Sequence, residues 1–460
     1  MTGSRLLNRE FAIFFTVSQV LVGVPVFAAG FQLNETSPSL QGSARAGAAA
    51  ANNDVSALFN NPATLSTLKQ NQAYLGASEI LPRISMSDGR AIHIFNVPGS
   101  PPTSIETPVV GFPNQYNLSQ SAFIPDAYIG WQTSDKLRAG IAFTEPYYLS
   151  THYDIDSVFR FSSIETKLRS LNINPVLAYR LNDYWSFGAG AQAQYLSARL
   201  SHFNGSYTGI AAIDNLLAPT IPTSIKNTGW GYGYTLGALY QPNQFTRLGI
   251  SYRSHIVTRL DGHGVQYTIA GDLVPAPSAN FLFNSSSISA SKINTPGVLT
   301  LGAAHDLYDW TLKAALQVNF WNTFRHIRFS MPHSFITSND LSMKWNNAWF
   351  GSLGADYHFS SLFTVRGGIA YDQTPVNSFH REPRIPDSDR IWLNIGLSYI
   401  INKQLALDGA YAYQFLHDQR MHVTESGLSN RLNSPLEINR VSANYRGFAN
   451  VFSLALRYSC

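Results

Sequence analysis

The stretch "GVLTLGAAHDLYDWTLKAALQVNFW", residues 297–321, alternates in polarity, reverses at a short polar turn, and alternates again. From Trp310 onward Leu312, Ala314, Leu316, Val318 and Phe320 share one face, while Lys313, Gln317 and Asn319 share the other. Successive side chains of a β-strand point to opposite faces, so this stretch reads as an antiparallel hairpin with one apolar and one polar side. Residues 126–144, 170–196, 230–254, 349–373 and 391–415 repeat the pattern, each turning on Asn, Asp, Ser or Pro. One further strand is expected around Gln72–Ser87 and another over "VFSLALRYS", residues 451–459. Six hairpins with a strand at either end make fourteen strands, with connections short inside each hairpin and long between hairpins.

That arrangement predicts an all-β fold, a fourteen-stranded antiparallel transmembrane β-barrel. Such barrels have an even strand number, tight turns at one end and long loops at the other. Composition agrees. Charged residues make up only 13% of the 460 and aromatics another 13%. Soluble domains carry about twice that share of charge. Beyond the first thirty residues no apolar run is long enough for a helical span. A soluble secreted β-solenoid or sandwich is the rival class, and it would carry more Lys and Glu on its wet faces. Apolar-out, polar-in is the sense a barrel requires, since charge on the lipid face costs roughly 2–4 kcal/mol at the midplane. In 362–372, Phe363, Val365, Ile369 and Tyr371 oppose Thr364, Arg366 and Asp372; in the final strand Phe452, Leu454, Leu456 and Tyr458 oppose Ser453, Ala455 and Arg457. Trp131, Trp185, Trp310 and Trp392 stand beside the turns and suit an interfacial girdle.

Upstream, Arg5 and Arg9 precede "FAIFFTVSQVLVGVPVF" and then Ala28-Ala29-Gly30. A basic region, an apolar region and small residues predict a secretory signal peptide over 1–28. Residues 29–71 are rich in Ala, Ser, Asn and Gly and cannot bury enough surface to fold alone. A fourteen-stranded barrel is too wide for wall side chains alone to fill. Residues 29–71 are therefore expected to form a plug, or hatch, inside the barrel of residues 72–460; a disordered tail is the alternative. The net charge of +4 is small and scattered, which argues against a nucleic-acid partner, and the single Cys460 excludes an internal disulfide framework. No metal or cofactor set is expected, and no nucleophile motif with a Ser–His–Asp constellation points to an enzyme.

"AGFQLNE" (29–35), "NNPATL" (60–65), "LAYRLNDYWSFGAG" (177–190) and "YDQTPVNSFHREPRIPDSDRIWLNIGLSY" (371–399) resemble the long-chain fatty acid transporter (FadL/TodX) family. The likeness extends over nearly all of residues 29–460. It implies a fourteen-stranded outer-membrane barrel with an N-terminal hatch, taking up long-chain fatty acids or other hydrophobic small molecules passively. Loops capture the ligand, the hatch rearranges, and the ligand leaves sideways through the wall. Aromatic hydrocarbon uptake is the alternative, and a surface adhesin or porin-type barrel a further one. The partners implied are the ligand, outer-membrane lipid and lipopolysaccharide, with a monomeric chain.

The resemblance puts Phe31 and Leu33 near an inner ligand site and Asn61-Pro62-Ala63 in the hatch signature. It implies a wall opening at a kink in the third strand, near Gly140 and closed above by Pro146. A carboxylate needs a cation. Arg138, Arg247, Lys313 and Arg366 have inward parity, and Arg199 and Lys344 stand near the family's basic ligand positions. Arg199 shares parity with the outward Phe187 and Tyr195. "REPRIPDSDR" (381–390) is expected to be a rigid loop held by pairs among Arg384, Asp387, Asp389 and Arg390.

Overall fold

The computed structural model describes residues 30–97, 103–204, 221–266, 286–330, 338–377, 379–426, 428–429 and 437–460. The expected signal peptide and Ala29 lie outside them. Fourteen staves follow in chain order: β1 Gln72–Val97, β2 Ala122–Gln132, β3 Leu137–Thr144, β4 Glu165–Arg180, β5 Trp185–Asn204, β6 Ile221–Tyr240 and β7 Thr246–Arg253. Then come β8 Val298–Leu307, β9 Trp310–Asn319, β10 Ala348–His358, β11 Phe363–Asp372, β12 Arg390–Ile400, β13 Leu405–Ser426 and β14 Glu437–Ser459. Each pairs antiparallel with the next. β14 returns to β1, from Gln72↔Ser459 to Phe95↔Glu437, and the sheet closes without an edge. All six expected hairpins are present, and the two expected terminal strands are longer than their polarity pattern suggested.

The short turns close on local side chains. Asn182 accepts from the N–H groups of Tyr184 and Trp185, Asn243 from Phe245 and Thr246, and Asn402 from Gln404 and Leu405. Asparagine favours such reversals because its carbonyl mimics a backbone acceptor two or three residues back. Alternation then sorts the faces as expected. Phe452, Leu454 and Leu456 are exposed while Ser453 and Ala455 are buried; Val365 and Ile369 are exposed while Asp372 is buried. Trp131, Trp185 and Trp310 are exposed. Trp392 departs from the girdle expectation. Ile391, Leu393 and Ile395 take the outer face of β12, so Trp392 points into the lumen against Phe350 and Ala44.

Residues 30–68 lie within the barrel. They form one short helix, Pro38–Gln41, and three 3-10 turns, Ala48–Ala50, Val55–Phe59 and Pro62–Thr67. Their polar groups are satisfied by the wall on many sides. Asn394 donates to the carbonyl of Gln41 (2.8 Å), Gln414 to Glu35 (2.6 Å), Arg180 to the carbonyl of Ser66 (2.7 Å), and Gly47 to the carbonyl of Ala314 (3.0 Å). Small wall residues admit the segment. A Cβ on Gly188 would stand 2.5 Å from the backbone of Pro62 and Ala63, and one on Gly237 would stand 1.9 Å from Asn61 Oδ1.

The wall is broken beside the third stave. β2 pairs with β1 from Ala122 onward but with β3 only from Ala127, so residues 122–126 have no partner on that side. β3 ends at Thr144; beyond Glu145-Pro146-Tyr147 the chain resumes as Tyr148–His152, paired with β4. In place of β2, the N-terminal segment meets the displaced stretch: Leu33 N–H donates to the carbonyl of Pro146 (2.8 Å), and Tyr148 N–H to that of Phe31 (3.1 Å). A central strand tolerates proline where ladder bonding is already interrupted.

Candidate ligand-binding site

Phe31 is enclosed by rings from three separate parts of the chain. Its centroid lies 4.8 Å from Trp321, 5.5 Å from Phe324, 5.7 Å from Trp345 and 5.9 Å from Tyr147. Leu168, Leu196, Ile293 and Met343 complete the apolar cluster. The indole N–H groups of Trp321 and Trp345 are buried without an acceptor among the described residues. Unmet donors of this kind are costly in an apolar setting and are most simply met by a ligand oxygen or water.

Two voids adjoin the cluster on the long-loop side of the segment. One, of about 20 Å³, touches Phe31, Phe324 and Ile327; the other, of about 120 Å³, touches Leu33, Ile80, Ala122 and Tyr148. Leu149 and Ile385 line both. The loop carrying Ile385 is folded down over the N-terminal segment. Gly30 N–H donates to Asp387 Oδ2 at 2.8 Å, and Arg390 Nη2 to the carbonyl of Gly30 at 3.3 Å. The expected Arg390–Asp387 pair is present at 2.8 Å, while Arg384 pairs with Glu382 (3.3 Å) and Glu425 (3.9 Å). Burial, more than the opposing Arg384, pushes the Glu382 carboxyl up to about 7; burial and then Asp387 raise Asp389 to about 7.

The other sequence candidates are scattered. Asn61 caps the Pro62–Thr67 turn by accepting from Ala63 N–H (3.0 Å), and its amide donates to the carbonyls of Ala49 (2.7 Å) and Ala238 (3.0 Å), which ties the segment to β6. Lys313 and Arg366 point inward and share Asp356 at 2.6 and 3.4 Å. They line a polar void of about 760 Å³ between the N-terminal segment and the short turns, away from Phe31. Arg199 is on the outer face, as its parity indicates, half-exposed and 3.2 Å from Glu165. Lys344 is exposed at positive φ next to Trp345, its N–H bonded to the carbonyl of Arg325. Pro146 lies in the wall break. Gly140 is regularly paired on both sides below it; its bare Cα instead makes room for Leu65 and Leu58, within about 3 Å of a Cβ placed there. Sequence reasoning did not select Tyr147, Trp321, Phe324 or Trp345. The available signal was aromatic residues at the ends of the alternating stretches or just beyond them.

A closed barrel with an apolar outer band, a filled lumen and a greasy pocket under its long loops defines an outer-membrane channel for hydrophobic molecules. Residues 19–460 match the family described as outer membrane protein transport protein (OMPP1/FadL/TodX), and the chain belongs to it. The long-chain fatty acid transport protein of Escherichia coli O6:H1 is 26% identical over 427 residues, covering 89% of this chain and 91% of that one. Outer membrane protein P1 of Haemophilus influenzae is 28% identical over 466 residues, covering 94% and 95%. Among solved structures, a Pseudomonas aeruginosa FadL homologue superposes with a TM-score of 0.79 at 23% identity over 94% of this chain and 100% of that one. The Ralstonia pickettii toluene transporter TbuX gives 0.64 at 18% identity over 93% and 100%. Members of the family are transporters, and this chain is an outer-membrane protein.

Proposed function

We propose that this chain carries long-chain fatty acids, or similarly hydrophobic molecules, into the outer membrane by passive uptake. The observation that supports it is the meeting at Phe31 of an aromatic pocket, the roof loop and the broken wall. Ligand caught between the long loops enters the pocket around Phe31 and Leu33. Residues 29–71 act as a hatch, with Asn61-Pro62-Ala63 as its pinned elbow. Their rearrangement frees the path past Pro146 and residues 122–126 into the bilayer. The side exit is the favourable one, because hiding a fatty chain from water is worth about 0.8 kcal/mol per CH₂. Residues 1–28 direct export and are removed. Lys344 stands at the pocket rim, Lys313 and Arg366 on the far side of the hatch, and Arg199 facing lipopolysaccharide. The chain acts as a monomer without catalysis.

The aromatic lining of the pocket favours a second reading, uptake of neutral aromatic hydrocarbons. Labelled-oleate uptake by cells producing the protein should be saturable, exceed that of an empty host, and disappear when residues 30–69 are deleted. Uptake equal to the empty host would sink the fatty-acid reading; competition by toluene, with no oleate transport, would establish the second.

A further inference from the structure

Arg253, the last residue of β7, follows Arg247, Gly249 and Ser251 along the inner face of its strand. Its guanidinium sits over the ring of Phe59, 4.3 Å from the centroid. Phe59 belongs to the N-terminal segment and is buried. The groups that act electrically on Arg253 are the phenols of Tyr147 and Tyr128 and the guanidinium of Arg45; no carboxylate is among them. Every other inward cation in this region has acceptors. Arg45 donates to the carbonyl of Asn34, to Thr36 and to Asn60; Arg247 pairs with Asp306, Lys313 with Asp356, and Arg457 with Asp408. Among the described residues the guanidinium of Arg253 has no hydrogen-bond acceptor. A ring face attracts an enclosed cation but leaves its N–H donors without an acceptor. A second observation points the same way. Asn60 and Asn34, which hold Arg45 through the Asn60 side-chain oxygen and the Asn34 backbone carbonyl, are buried, and among the described residues the amide nitrogens of both and the amide oxygen of Asn34 have no partner. The carboxylates of Glu35 and Asp372 act on Arg45, and Glu35 already accepts from the N–H of Asn34, so Arg253 is the guanidinium of the pair left without a carboxylate.

We propose that Arg253 is the anchor for the carboxylate head of an acidic ligand at the surface of the hatch, with Asn60 and Asn34 as supporting donors. Tyr147 connects this anchor to Phe31, so a carboxylate held at Arg253 leaves its hydrocarbon chain against the aromatic pocket. Arg253 then decides that the site prefers acids over neutral chains of equal length. This rests on the uptake reading above.

The test is binding of labelled oleate and labelled oleyl alcohol to the purified protein and to Arg253→Met and Arg253→Lys, in one detergent, with heat-modifiable gel migration reporting the folded barrel. Loss of a charged hydrogen bond predicts that Arg253→Met weakens oleate about tenfold or more, leaves oleyl alcohol within about threefold, and that Arg253→Lys regains most of the difference. Equal weakening of both ligands would show that Arg253 only props Phe59, and an unchanged oleate affinity would likewise overturn the assignment. If the unsubstituted protein bound neither ligand, the uptake reading itself would fall and take the anchor with it.

Discussion

The N–H of Leu33 donates to the carbonyl of Pro146 at 2.8 Å, so the N-terminal segment supplies the pairing that β2 withholds from the displaced third strand. The neighbouring pair Gln32↔Tyr147 is an antiparallel bridge. The segment therefore closes the gap from inside, and its departure would uncover it.

A Gln32→Cys, Tyr147→Cys double variant, with Cys460→Ser to remove the exposed free thiol, should form a disulfide, because directly opposed residues place their Cα atoms about 4.5–5.5 Å apart. Oxidation should abolish oleate uptake and reduction should restore it. Full transport by the oxidised form would show that this pairing need not open.

Phe31→Ala removes the ring at the centre of the aromatic pocket. Apolar contact with a buried phenylalanine ring is worth about 1.5–3 kcal/mol, so its loss should lower oleate affinity by at least about tenfold, with barrel stability on heating little changed because the wall pairing is untouched. Titration of the purified protein with oleate reads the first quantity, and heat-modifiable migration the second.

Gly237→Val puts a branched side chain where even a Cβ lies 1.9 Å from Asn61 Oδ1. The barrel should still assemble, since pairing of β6 with β5 and β7 uses only backbone groups. The segment should be displaced, and single-channel conductance in planar bilayers should rise well above that of the unsubstituted protein. Unchanged conductance would mean the lumen accommodates the valine without moving Asn61.

The roof loop should respond to pH. Asp389 stands at about 7, raised from 3.8 by burial and then by Asp387, against the opposing Arg381 and Arg390; its carboxylate oxygens are buried and unpartnered. A folded value above the unfolded one means docking is fully supported below the unfolded value and lost as pH rises through the folded one. Amide exchange of residues 379–389 should therefore quicken between about pH 5 and about pH 8, and Asp389→Asn should reduce the response, leaving the share carried by Glu382, whose carboxyl is likewise raised to about 7. Equal protection across that range would contradict the burial-driven shift.

Much of this protein was legible in its residue order, and for a local reason. Strand polarity repeats every two residues, so the run from Trp310 to Phe320 reveals both a strand and its faces without knowledge of any partner. The same rule placed Arg199 outside the barrel and Lys313 and Arg366 inside it. For Trp392 the rule was right and the girdle expectation wrong: its position near a turn suggested an interfacial anchor, although its parity with Asn394 put it in the lumen. The break beside β3 could not be located in the same way. Gly140 was the residue that invited a kink, yet the ladder runs straight through it and parts only after Thr144, where residues 31–33 compete with β2 for the strand.

Residue order alone set the number of staves, their antiparallel order and the facing of the strand side chains, because those follow from neighbours in the chain. Which distant side chains meet was settled by the fold. Tyr147, Trp321, Phe324 and Trp345 converge on Phe31, and Arg253 is left without an anion, through strand register and the path of the enclosed segment. Those are distances across the lumen, and no local period encodes them.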